Sequence, residues 1–74
     1  MKVLIRMWSY HMLSELSKGR RSIKELKTLL PLYGTAFDFT ISYLLSSGMV
    51  RKVIEDDAEY LEITDFGRSF LLNP

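Results

Sequence analysis

With 74 residues, 47% of them hydrophobic and 26% charged, the chain has the composition of a folded, soluble domain and is too short to build two separate cores. It contains no cysteine and a single histidine, His11, which excludes a disulfide or a His/Cys metal site within one chain and leaves subunit association to reinforce so small a core. A formal net charge of +1 excludes a strongly basic, histone-like coat protein, so any basic surface must come from local clustering.

Helix one is predicted over 2–18, where Ile5, Trp8, Met12 and Leu16 recur at helical spacing, with Leu4 and Leu13 at the margins of the stripe. Arg6, Ser9, His11 and Glu15 interrupt its apolar run too early for a signal-peptide core or a membrane span. An intracellular, soluble protein without a membrane partner is therefore expected. A second apolar strip, Val3, Met7 and Tyr10, points roughly away from Ile5 and Leu16 on a wheel of about 100° per residue. One small core cannot cover both faces, so this strip is expected to form a homodimer interface.

Gly19, Arg20 and Arg21 make a short basic connection. Ser22 and Glu25 then match a capping box, which opens helix two over 23–30. Ile23, Leu26 and either Leu29 or Leu30 face inward on this helix, while Lys24 and Lys27 face out. Pro31 ends it, because the residue before a proline is driven out of the α region. The turn Pro31-Leu32-Tyr33-Gly34 leads to helix three over 36–47, with Thr35 and Asp38 as a box-like start and Gly48 as its stop. Two helices joined by so few residues make a helix-turn-helix. Phe37, Ile41, Leu44 and Leu45 supply the inner face of helix three.

A β-hairpin is predicted over 49–63, turning at the acidic stretch from Glu55 to Ala58, with Leu61 and Ile63 directed inward. Thr64 caps a last short helix over 65–72, whose Phe66, Phe70 and Leu71 close the bottom of the core. The fold class is α+β: three helices, a two-stranded hairpin and a short C-terminal helix in one domain over residues 1–74.

The run LLSSGMVRKV, a polar turn, and then LEITDFGRSFL resembles the signature of winged helix-turn-helix DNA-binding proteins, especially the compact regulators of archaea and their viruses. The resemblance covers essentially the whole chain. It implies double-stranded DNA as partner, helix three in the major groove, the hairpin wing on the backbone or minor groove, and a homodimer on two-fold related half-sites. Transferred to this sequence, Thr35, Phe39, Ser42, Tyr43 and Ser46 face the bases. Arg20, Arg21, Lys24, Lys27, Arg51 and Lys52 surround helix three and hold phosphates. The acidic wing tip is repelled by a phosphate backbone and stays out of the minor groove.

The face offered to the bases lacks Arg, Lys, Asn and Gln, the usual bidentate partners of guanine and adenine. Phe39 and Tyr43 are equally suited to anchor a protein, so a winged-helix protein-interaction module is the alternative reading. An enzyme is not expected. His11 is a lone histidine, Asp56 and Asp57 are residues that turns favour, and neither a nucleophile with its base nor a glycine-rich phosphate loop is present. No cofactor, metal or small-molecule ligand is expected.

Overall fold

The computed structural model describes residues 2–73. Its elements run α1 (Lys2–Leu16), β1 (Arg21–Ser22), α2 (Ile23–Leu29), α3 (Gly34–Ser47), β2 (Val50–Glu55), β3 (Ala58–Ile63) and α4 (Asp65–Leu72). The helix-turn-helix and the hairpin stand where the sequence pattern puts them. Two differences bear on function.

The first difference is a third strand. β1 pairs antiparallel with β3, Arg21 opposite Leu61 and Ser22 opposite Tyr60, so the sheet has the order β1-β3-β2. Two residues are too few to show an alternation, and this strand is made by its partner. Its effect is to fasten the basic connection before α2 to the wing.

The second difference is the start of α3. Gly34 takes the positive φ expected of it, +59°, and helical bonding begins from Tyr33, which caps the helix without a side-chain hydrogen bond. Thr35 therefore lies inside the first turn, where it cannot act as the N-cap of a box with Asp38. The corresponding box on α2 does form: Glu25 N donates to Ser22 Oγ at 3.1 Å, and Ser22 N donates to Glu25 Oε1 at 3.0 Å. This contact holds the Glu25 carboxyl below the ordinary glutamate range, the backbone hydrogen bond from Ser22 contributing most.

The core lies where α1, α2 and α3 meet over the inner face of the sheet. Met12, Leu13 and Leu16 enter from α1, Leu26 from α2, Phe37, Ile41 and Leu44 from α3, and Val50 and Leu61 from the sheet. The buried face of α1 is turned slightly from the predicted stripe: Ser9 and Leu13 are fully buried, while Ile5 and Trp8 are partly exposed. On α2 the choice between two leucines falls on Leu30, since Leu29 is half exposed. Phe70 and Leu71 pack against the core as predicted, but Phe66 is 56% exposed and does not. Gly67 is the buried position of α4, and burying it turns the preceding side chain outward.

Thr64 ties α3, the hairpin and α4 together. Its hydroxyl donates to the Gly48 carbonyl at 2.7 Å and accepts from Gly67 N at 3.2 Å, while its own N–H donates to the Met49 carbonyl at 3.0 Å. One residue thus satisfies a carbonyl at the end of α3 and an orphan amide at the start of α4. A Cβ on Gly67 would collide with the Met49 carbonyl oxygen and come within 2.8 Å of Ile63 Cγ1. The threonine and glycine three residues apart are thus required by a close helix-to-strand approach.

Candidate nucleic-acid interface

Burial of Phe37, Thr40, Ile41 and Leu44 fixes the orientation of α3, and Thr35, Phe39, Ser42, Tyr43 and Ser46 are all exposed. All five residues predicted for the base-facing surface therefore share one solvent-facing side. Phe39 is 55% exposed and Tyr43 39%, which is high for aromatic side chains in a small domain. No lysine or arginine lies in α3, and Asp38 is its only charged residue. Ser46 Oγ donates to the Tyr43 carbonyl at 3.1 Å, so its proton is committed and its lone pairs face outward as acceptors. Beside Phe39 a shallow hollow is lined by Trp8, Thr35 and Ala36.

The six predicted phosphate contacts divide into two groups. Lys24 and Lys27 stand exposed on α2, and among the described residues neither takes part in an ion pair. Lys27 Nζ sits 5.8 Å from the centroid of the Phe37 ring, beside the start of α3. The other four cations already have partners. Arg20 makes a forked contact with Glu55, at 2.6 and 3.3 Å, and its guanidinium lies 4.5 Å above the Tyr60 ring. Arg51 donates twice to Glu62, at 2.8 and 3.0 Å, Lys52 lies 3.9 Å from Glu59, and Arg21 lies 4.0 Å from Glu15.

The sequence pattern does not pair these cations with Glu15, Glu55, Glu59 and Glu62. A cross-strand signal existed for two of them, because Arg51 stands opposite Glu62 and Glu59 is the diagonal neighbour of Lys52, two residues from its partner Leu61. The Arg20–Glu55 pair spans 35 residues and needs the third strand to form. The two groups shift each other in the expected directions: the hydrogen bond from Arg20 holds the Glu55 carboxyl below the ordinary glutamate range, and Glu55 raises Arg20 further.

The wing closes through Asp56 and Asp57, both at positive φ (51° and 64°), as a tight two-residue hairpin turn demands. With Glu55 and Glu59 beside them, they give the tip a negative surface. On α1, Met7 is 49% and Tyr10 42% exposed, with Leu4 at 42% beside them, while the Val3 side chain lies outside the described residues. No group of three or more metal-ligating side chains occurs among the described residues, and no described helix is long and apolar enough to cross a membrane.

A helix-turn-helix whose second helix runs directly into an antiparallel hairpin, backed by a third short strand and closed by a last helix, is a winged helix-turn-helix. Solved structures carry the same arrangement. The transcriptional regulator BldR of Sulfolobus solfataricus superposes with a TM-score of 0.77 at 25% identity, over 86% of this chain and 48% of that one. The adhesin competence repressor AdcR of Streptococcus pyogenes gives 0.76 at 21% identity, over 86% and 50%. A possible transcriptional regulator for arsenical resistance gives 0.67 at 18% identity, over 84% and 65%. The chain thus spans about half the length of the first two regulators it matches. No protein-family model and no curated protein matches it. The fold is that of winged-helix transcriptional regulators.

Proposed function

We propose that the chain is a dimeric DNA-binding protein that regulates transcription, with α3 in the major groove and basic residues on the flanking phosphates. The observation that supports this reading is the solvent-facing side of α3, where Asp38 is the only charge, set beside Lys24 and Lys27 of α2, which take part in no ion pair among the described residues, within a fold shared with regulators. Lys24 and Lys27 supply the phosphate contacts nearest α3. Arg51 and Lys52 add contacts at the wing base, and Arg20 and Arg21 hold the connection before α2, each drawing on a side chain that an acidic neighbour already orients. The wing tip remains outside the minor groove.

Each phosphate neutralised releases counterions, so the logarithm of the binding constant should fall by about 0.9 for each contact per tenfold rise in salt. Titration of a random duplex pool at several salt concentrations tests this directly. Steep salt dependence is expected, and absence of duplex binding even at low salt would defeat the proposal. The dimer is assigned to the strip holding Val3, Met7 and Tyr10. Met7→Glu places a charge on that strip and should yield a folded monomer in sedimentation equilibrium, whereas an unchanged dimer would locate the interface elsewhere.

The hollow beside Phe39 favours one other reading, a protein partner anchored on Phe39 and Tyr43. Apolar burial is insensitive to moderate salt, so complex formation that survives high salt would favour this alternative.

A further inference from the structure

Given the DNA-binding reading above, on which this inference rests, the side chains of α3 also restrict what kind of operator it selects. We infer that α3 reads thymine methyl groups through Phe39, so that the bound sequences are chosen for thymines placed under that ring and not for guanines.

Discrimination of guanine in the major groove relies on paired donors that meet O6 and N7 together, and discrimination of adenine relies on a paired donor and acceptor for N6 and N7. α3 has no arginine, lysine, asparagine or glutamine to supply either pair. Its hydroxyls act singly, and that of Ser46 has already given its proton to the Tyr43 carbonyl. A lone hydroxyl fits several base edges with similar energy and discriminates little.

Phe39 behaves differently. Its ring is 55% exposed and lies one helical turn from Thr35 on one side and from Ser42 and Tyr43 on the other, at the centre of the exposed surface. Inserted into a major groove, it must lie against some base edge. Against guanine, adenine or cytosine it would strip water from polar groups and offer them no hydrogen bond. Thymine alone presents an apolar group there, the C5 methyl. Mismatch is penalised and match rewarded by the same side chain, which makes Phe39 the specificity-determining residue of the helix.

Deoxyuridine pairs as thymidine does and lacks only that methyl, so it isolates the contact. A duplex selected from a random pool is compared with the same duplex carrying uracil in place of thymine, and with a third carrying 7-deazaguanine, which lacks the N7 acceptor. Uracil should weaken binding about 4-fold for each contacted thymine, the value of one buried methyl-sized group. The 7-deazaguanine duplex should bind within about 2-fold of the parent, because no paired donor reaches guanine. For Phe39→Ala, checked for native circular dichroism, thymine and uracil duplexes should bind alike. Phe39→Leu, which keeps an apolar side chain, should retain part of the difference.

Equal binding of thymine and uracil duplexes by the unaltered protein would overturn the inference while leaving DNA binding intact. So would a uracil effect that persists undiminished in Phe39→Ala, which would place the methyl contact elsewhere, or a larger loss with 7-deazaguanine than with uracil. Failure to bind any duplex at low salt would remove this inference together with the proposed function.

Discussion

Helix α3 and the wing that follows it handle charge in opposite ways. The exposed side of α3 presents hydroxyls and aromatic rings with Asp38 as its only charge, whereas the wing is dense in charge and holds both of its cations against carboxylates of the facing strand. Arg51 and Lys52 on β2 face Glu62 and Glu59 on β3, and Arg20 reaches across from β1's leading edge to Glu55. The contrast shows that basic residues flanking one exposed helix are not equally free to meet a phosphate. In this wing they are already held by carboxylates, whereas Lys24 and Lys27 on α2 take part in no ion pair among the described residues.

The most severe way to break the comparison is to separate the two regions where they join. Gly67→Ala forces a methyl group into the Met49 carbonyl oxygen and Ile63, and overpacking of this kind costs about 1–3 kcal/mol. In a domain of this size the melting temperature should fall by on the order of 10 °C. A melting temperature unchanged within error would mean that α4 can slide off the wing root, contrary to the packing described above.

The comparison is sharpened by removing cations from each region in turn. Lys24→Ala with Lys27→Ala should flatten the plot of log binding constant against log salt by about 2 units per chain. Arg51→Ala with Lys52→Ala should change that slope by clearly less, since each of those side chains must leave a carboxylate before meeting a phosphate. Equal changes from the two pairs would erase the distinction between free and committed cations.

The smallest effect is expected at the Arg20–Glu55 latch. Because Arg20 lowers the pKa of Glu55 in the folded chain, the pair contributes fully at pH values above the ordinary glutamate range. That contribution fades as the pH falls through that range towards the lowered folded value, where the carboxylate takes up a proton. Glu55→Gln should therefore melt slightly below the unaltered protein at neutral pH, and the gap should close in acid. Faster hydrogen exchange at β1 amides should accompany it. A gap that persisted unchanged in strong acid would show that the pair's charge has no part in fastening β1.

Most of the architecture was legible because it rests on local chemistry. Ser22 and Glu25 form their box, Pro31 and Gly48 end their helices, and the Thr64–Gly67 spacing starts the last one. Elements that depend on a distant partner were not legible: β1 exists only through β3, and the Arg20–Glu55 pair only through β1. Thr35 and Phe66 were misplaced for a related reason. A helix start was shifted by Gly34, which completes the turn itself, and a helix face was set by the close approach at Gly67. The five exposed residues of α3 were readable because helical period alone decides which side a core-packed helix turns to water. The pairing of the wing cations needed the strand register.

Amide chemical shifts followed while a selected duplex is titrated into the labelled protein would test the central claim most directly. The largest changes should fall along α3 at Thr35, Phe39, Ser42, Tyr43 and Ser46 and near Lys24 and Lys27 on α2, with the turn at Asp56 and Asp57 unmoved. Changes centred on the wing tip, with α3 silent, would contradict it.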